Sequence, residues 1–309
     1  MYNIDKIIKN KINYDYLIEK NNCRHISYGI DNNYARCMAT SIASICINNK
    51  EYNFIFHIVG CNLSDITKRK IELLAKQYCI EINIYEIDSD FFKNLPIRDH
   101  IPVSTYFRLI LPLLLKNVDI LYYIDADIVC LKNANEFFEI NLENNIIGAI
   151  PDLGKTANKR ITALDLKKHI YFNAGVLIIN VKKWNAFDVL EKCLDKLNEN
   201  PKKFLYQDQD ALNLILTQKI KYLDKKFNCM YLYDMEFSDI ILLHFVSQPK
   251  PWNKMWNLNL MNNDFTKNIY SFYENQTEWR DEPLLNKNTV KNIFRWYVKK
   301  ILYKINIIK

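Results

Sequence analysis

Asp125 and Asp127 stand one residue apart in Ile124-Asp125-Ala126-Asp127, at the end of the apolar run Asp119-Ile120-Leu121-Tyr122-Tyr123-Ile124. If extended backbone continues through them, the period-two geometry of a strand points both carboxylates to one side. Two like charges about 6 to 7 Å apart repel by on the order of 2 kcal/mol at an effective dielectric of about 20, a cost that a bound divalent cation removes. Oxygen donors suit Mn²⁺ or Mg²⁺. A turn or a solvated helix cap uses the same two residues, so the pair by itself stays ambiguous.

Four further segments carry polar groups at the ends of apolar runs. Asp31-Asn32-Asn33-Tyr34 closes the first strong run, with an aromatic ring and polar groups suited to a base and a ribose. Tyr171-Phe172-Asn173-Ala174-Gly175-Val176-Leu177 sets an amide and two small residues at a strand mouth, and Tyr206-Gln207-Asp208-Gln209-Asp210 precedes an apolar helix. His244-Phe245-Val246-Ser247-Gln248-Pro249-Lys250-Pro251-Trp252 places an imidazole at a strand end and then a lysine between two prolines. Taken singly, His244 suits a hydrogen-bonded structural role, Asn173 a strand cap and Arg108 a structural ion pair.

Together and in this order, these segments resemble glycosyltransferase family 8, retaining transferases of the GT-A fold that use nucleotide-diphosphate sugars. Within the family, Ile26-Ser27-Tyr28-Gly29-Ile30-Asp31 with Ser41-Ile42-Ala43-Ser44-Ile45 is most similar to bacterial lipopolysaccharide α-glucosyl- and α-galactosyltransferases. The resemblance spans about residues 24 to 256. It implies that Asp31, Asn33 and Tyr34 hold the uridine, and that Asp125, Asp127 and His244 bind Mn²⁺ or Mg²⁺. It further implies that Lys250 meets the diphosphate, and that Arg108, Asp152, Asn173, Ala174, Asp208 and Gln209 contact the donor sugar, with Ala126 between the two metal carboxylates.

The implied chemistry is retaining transfer of glucose or galactose from a UDP-sugar to a lipopolysaccharide or related glycolipid. Negative charge grows on the departing diphosphate, where a cation and Lys250 stabilise it without a protein acid. Retaining hydrolases use a carboxylate nucleophile, but the residue this family presents near the anomeric carbon matches Gln209, a poor nucleophile. Same-face attack by the acceptor follows, with Asp208 and Asp210 as electrostatic neighbours. Ser247 stands where the family usually has glycine. Serine serves there if its backbone angles are ordinary and its hydroxyl donates to phosphate. The alternative is a non-catalytic protein of the same fold that binds a nucleotide-sugar or a glycan.

The elements that must position these residues are read from periodicity. Residues 24–280 form one α/β domain, a Rossmann-like, mostly parallel sheet flanked by helices. A polar leader of residues 1–23, helical or loosely packed, precedes it, and a helical extension of residues 281–309 follows. Strands are expected at His25–Ile30, Tyr52–Val59, Glu81–Ile87, Asp119–Ile124, Ile146–Ile150, Gly175–Val181 and Ile240–Val246. Helices are expected at Tyr34–Ile47, Ser64–Tyr78 with Ser64 as cap, and Ser104–Leu115.

Composition excludes other classes. The chain has 309 residues, 49% hydrophobic, with only 5 glycines so dispersed that neither G-x-G-x-x-G nor a P-loop can be written. Its 8 cysteines form no C-x-x-C pair and read as core residues of a reducing compartment. The amino terminus lacks a signal-like apolar region, and no uncharged apolar stretch is long enough to cross a bilayer, so a cytoplasmic location is expected. The net charge of +7 sits in the tail: residues 283–309 carry seven basic side chains and no acidic one, leaving 35 of each sign elsewhere. Phe294, Val298, Ile301, Ile305 and Ile308 make a helical stripe beside Lys291, Arg295 and Lys299. That make-up fits an anionic inner-membrane surface rather than nucleic acid. A helix packed on the body is the competing reading.

Overall fold

A computed structural model describes residues 7–96, 102–152, 154–166, 169–232, 235–260, 263–286 and 288–304. In chain order the strands are β1 Ile8–Asp15, β2 Cys23–Asp31, β3 Asn53–Cys61, β4 Glu81–Ile87, β5 Ile120–Ile124, β6 Ile128–Cys130, β7 Ile147–Pro151, β8 Phe172–Asn180, β9 Ile220–Tyr222 and β10 Leu242–His244. The helices are α1 Ala35–Asn48, α2 Asp65–Tyr78, α3 Phe107–Leu114, α4 Asn135–Phe138, α5 Lys155–Leu164, α6 Val181–Ala186, α7 Val189–Glu199, α8 Gln207–Ile215, α9 Asp264–Glu274 and α10 Val290–Lys304.

Eight strands form one sheet in the order β1-β4-β3-β2-β5-β8-β7-β9, while β6 and β10 make a separate antiparallel pair. Strands β4, β3, β2 and β5 run parallel, but β8 runs antiparallel to both neighbours, β5 and β7. The sheet is therefore mixed, with its parallel half where βα alternation is regular. Side chains alternate between two cores. Ile26, Tyr28 and Ile30 of β2 and Tyr122 and Ile124 of β5 pack toward α1, α2 and α9. Leu121 and Tyr123 of β5 and Leu177 and Ile179 of β8 pack toward α3, α6, α7 and α8. Strands covered on both faces in this way read as nearly continuous apolar runs.

Two expectations at the chain ends differ from the structure. Residues 8–15 of the leader form an edge strand, β1, paired antiparallel with β4 from Ile8↔Ile87 to Asp15↔Glu81. Only Ile12 and Tyr14 touch the core, Lys9 and Lys11 on the other face blunt the edge, and Asn10, in phase with Ile8, Ile12 and Tyr14, breaks the apolar alternation. At the other end, the body's contacts continue beyond residue 280. Arg36 on α1 makes a buried two-point ion pair with Glu274 (2.5 and 2.9 Å) and donates to the carbonyls of Glu282 and Pro283. Leu285 is tied to Trp252 and Lys254 by backbone bonds.

Gly29 positions the site. A Cβ there would lie 2.8 Å from Ser104 O and 2.9 Å from Phe107 Cβ, so only glycine lets the start of α3, which carries Arg108, lie against β2.

Candidate active site

Strands β2 and β5 are parallel neighbours, and β2 is flanked on its other side by β3, so the chain crosses over in opposite senses about β2. Ligands of open α/β sheets bind outside the carboxyl ends of strands at such a switch point. Asp31 ends β2 and Asp125 follows β5 there. An open cleft of about 150 Å³ at this edge is lined by Tyr34, Thr105, Arg108, Tyr123, Asp125, Ala126 and Asp127, among others.

The backbone does not stay extended through Asp125-Ala126-Asp127; it turns, with Ile128 N donating to Asp125 O at 3.2 Å. The carboxylates nevertheless converge, because each is fixed from a different direction. Asp125 N donates to Gly175 O (2.7 Å), and Asp125 Oδ1 accepts from Tyr123 Oη (2.8 Å) and lies 3.2 Å from Arg108 Nη2. Asp127 is held through β6, whose partner β10 sets His244 opposite Ile128, so that His244 Nε2 lies 3.3 Å from Asp127 Oδ1. Ligand atoms of Asp125, Asp127 and His244 lie within 4.8 Å of one another, and among the described residues this is the one acid or histidine cluster that can hold a metal. Two hard carboxylates and an imidazole fit a divalent cation.

Lys250 is buried, with Nζ 2.5 Å from Asp127 Oδ2 and 2.6 Å from Phe245 O. Burial alone would raise the Asp127 carboxyl, but Lys250, and His244 whenever its ring is protonated, outweigh it and hold that group well below the usual carboxylate range. The loop leading to Lys250 passes through Ser247 at φ +67°, the left-handed region where glycine is at ease. The backbone at Ser247 is thus not ordinary, and serine occupies a glycine-type conformation there.

A second set of groups comes from β8 and α8. Register along β8 jumps from Ala149↔Leu177 to Ile150↔Asn173, a bulge in which Gly175 comes to lie beside His244 and Asp125. Gly175 is required by space, since a Cβ would lie 2.6 Å from His244 Cε1 and 2.9 Å from Asp125 Oδ2. Gln209 Oε1 accepts from Ala174 N (3.0 Å) and Asn173 Nδ2 (3.3 Å), which fixes its amide against the bulge.

Arg108 is buried where the two sets meet. It donates to Ala174 O and Thr105 O, stacks 4.5 Å over the Tyr123 ring and neutralises Asp125 and Asp208. Asp208 Oδ2 lies 2.8 Å from Arg108 Nε, but that N–H is aimed at Thr105 O, so the oxygen has charge contact without an aligned donor. Burial, aided by the nearby charge of Asp125 and opposed by Arg108, pushes the Asp208 carboxyl up to about 6. Asp152, at the end of β7, accepts from Gly154 N (3.2 Å) and is likewise raised, chiefly by burial.

The remaining expected residues fall at the margin or behind the site. Asp31 caps the turn after β2, accepting from Asn33 N (2.9 Å) and Tyr34 N (3.2 Å), while the Tyr34 ring packs edge-on against Trp252. Asp210 does not face the cleft. Its two oxygens take Arg160 Nε (3.1 Å) and Nη2 (2.8 Å), Tyr171 Oη (2.6 Å) and Tyr206 N (2.8 Å), so it anchors α8 from behind Gln209. Sequence reading missed Asn228, which is buried beside His244 with Nδ1 and Oδ1 2.8 Å apart. Its only local signal is a polar residue between the core residues Phe227 and Cys229. Arg160, a second miss, lies on the amphipathic α5 with no motif around it.

The architecture matches the crystal structure of the galactosyltransferase LgtC with donor and acceptor sugar analogs, at a TM-score of 0.72, 21% identity, 83% of this chain and 99% of that one. The fold is thus the GT-A fold. The chain belongs to glycosyl transferase family 8, whose model matches residues 25–256. It is 34% identical over 299 residues to the lipopolysaccharide 1,2-glucosyltransferase of Escherichia coli, covering 91% of this chain and 86% of that protein. It is 30% identical over 266 residues to the lipopolysaccharide 1,3-galactosyltransferase of Salmonella typhimurium, covering 81% and 79%.

Proposed function

We propose that this enzyme transfers glucose or galactose, with retention at the anomeric carbon, from a UDP-hexose to a lipopolysaccharide core or related glycolipid. The observation that carries the reading is the convergence of Asp125, Asp127 and His244 beside Lys250, with Asn228 bonding His244 to Asn173 and Asn173 bonding in turn to Gln209. Asp31, Asn33 and Tyr34 border the uridine end. Arg108, Asp152, Asn173, Ala174, Asp208 and Gln209 surround the hexose.

Asp125, Asp127 and His244 would hold Mn²⁺ or Mg²⁺, which supplies electrophilic stabilisation to the departing diphosphate. Lys250 adds a second positive charge at that end and leaves Asp127 for the phosphate as the nucleotide enters. Gln209 has its carbonyl oxygen and its amide nitrogen both engaged within the protein, and Asp210 is fully hydrogen-bonded. Neither is arranged as a free nucleophile, which supports same-face attack by the acceptor hydroxyl. A covalent glycosyl adduct trapped on Asp208, Gln209 or Asp210 would overturn that step.

The acceptor reading draws on α10. Phe294 is 70% exposed and Ile301 56% exposed, beside Lys291, Arg295 and Lys299, with Lys300 bonded to Asn257 O. An apolar stripe flanked only by positive charge suits an anionic bilayer carrying a glycolipid. Among the described residues no helix is long and apolar enough to cross a membrane. The test is release of UDP from UDP-glucose or UDP-galactose only when Mn²⁺ or Mg²⁺ is present, followed by transfer to truncated glycolipid acceptors. Full activity of D127A would refute the cation role. Unchanged binding of K291E/R295E/K299E to anionic vesicles would refute the membrane role.

A further inference from the structure

A single run of hydrogen bonds joins the cation site to the back of α8, and its direction can be worked out residue by residue. At one end Asp210, paired with Arg160, only accepts, so Tyr171 Oη donates to it (2.6 Å) and offers its lone pair to Gln209 Nε2 (3.1 Å). Backbone N–H groups confirm the orientation of the next two amides, because they can only donate. Ala174 N requires Gln209 Oε1 at 3.0 Å, and Gly175 N requires Asn173 Oδ1 at 2.9 Å. Asn173 Nδ2 then points to Gln209 Oε1 (3.3 Å).

With Asn173 Oδ1 fixed as an acceptor, the group of Asn228 that lies 2.8 Å from it must be Nδ2. Asn228 Oδ1 consequently faces His244 Nδ1, also at 2.8 Å. A nitrogen opposite an oxygen that can only accept must carry the proton. In the neutral ring the lone pair is therefore on Nε2, on the side of Asp127.

We propose that Asn228 is a positioning residue that sets His244 as the Nδ1–H tautomer, presenting Nε2 to a cation, and links the cation site to the amides at the sugar end. The link to a cation rests on the reading of His244 as a metal ligand; the tautomer follows from the protein's own hydrogen bonds. Partners of this kind behind a ligating histidine typically contribute about 10- to 100-fold in metal affinity.

Two substitutions separate the halves of the proposal. N228A removes both bonds. N228D keeps an acceptor for His244 Nδ1 but sets a second acceptor against Asn173 Oδ1, which Gly175 N–H prevents from turning. Nitrogen NMR of histidine-labelled wild-type protein, with the His244 signal assigned through H244Q, is expected to show a protonated Nδ1 and a bare Nε2 in alkaline buffer, where a histidine ring is neutral. Mn²⁺ titration with UDP present is expected to weaken by about 10- to 100-fold in N228A and to stay within a few-fold of wild type in N228D. The wild type is expected to bind UDP-hexose more tightly than UDP, and N228D to lose that preference.

A protonated Nε2 in the wild type, or wild-type Mn²⁺ affinity in N228A, would overturn the tautomer role. A retained hexose preference in N228D would overturn the link. If N228A does not fold, by near-UV circular dichroism, N228D and the NMR spectrum still decide. Failure of the wild-type chain to bind Mn²⁺ would refute the cation reading itself, and the NMR spectrum would still decide the tautomer.

Discussion

Asp208 and Asp210 are two residues apart at the start of α8, and both are buried against an arginine, yet their surroundings differ. Residues spaced i, i+2 point to different sides of a helix. Asp210 turns inward to a two-point pair with Arg160 and two further donors, so every lone pair it needs to satisfy is satisfied. Asp208 turns to Arg108, which lines the cleft and is shared with Asp125, Ala174 O and Thr105 O, and its Oδ2 has no aligned donor. The closed pair holds the helix in place. The open one leaves one oxygen, Asp208 Oδ2, in charge contact with Arg108 but without an aligned donor.

Substituting the two arginines breaks this comparison most directly. R108M is expected to lower turnover by about 10³-fold with a small loss of stability, because Asp208 takes up a proton readily and Asp125 keeps its bond from Tyr123. R160M strands Asp210 as a buried charge and is expected to cost about 3 to 5 kcal/mol in urea melts. Equal stability losses in the two variants would show that both pairs are structural. Next in size is G175A, whose Cβ would press on His244, Asn173 and Asp125. It is expected to lower kcat/KM by about 10²-fold while costing at most about 2 kcal/mol of stability. A wild-type rate would mean that the bulge does not set the cleft's geometry.

A smaller effect separates the two carboxylates by pH. The folded Asp208 carboxyl, at about 6, lies above its usual value of 3.8, so the native state binds the proton more tightly than the unfolded chain. Its contribution is therefore fully favourable below about pH 4, falls as pH rises toward 6, and is flat beyond. In metal-free protein D208N should flatten that segment of the stability profile, and an unchanged slope would contradict the assignment. The smallest expected change belongs to Ser247, the left-handed residue in the loop leading to Lys250. S247G should stabilise the protein by about 0.5 to 1 kcal/mol, with turnover unchanged unless the serine hydroxyl contacts the diphosphate.

Much of this was legible from residues. Runs buried on both faces, such as Ile120–Ile124, announce themselves as strands, and Ser64 before a helical stripe announces a cap that the structure shows, Oγ accepting from Thr67 N at 3.2 Å. The Asp125–Asp127 pair, the His244–Lys250 segment and the Asn173-Ala174-Gly175 turn were visible as polar groups after apolar runs. Edge strand β1 was not, because an edge buries little and Asn10 interrupts the alternation of Ile8, Ile12 and Tyr14. Asn228 and Arg160 were not either, since nothing local distinguishes a buried amide or an arginine that serves a distant partner.

The sequence by itself determined the α/β class, the family resemblance, the set of chemical groups and the concentration of positive charge in the tail, because each of these is carried by short-range pattern or composition. Only the tertiary structure decided which groups meet. The β6–β10 pairing brings His244 to Asp127, the β8 bulge sets Gly175 beside His244 and Asp125, and α8 sends Asp210 away from the site while keeping Asp208 beside Arg108. Those outcomes depend on register, bulge and helix phase, which packing across the whole sheet sets and which no local pattern encodes.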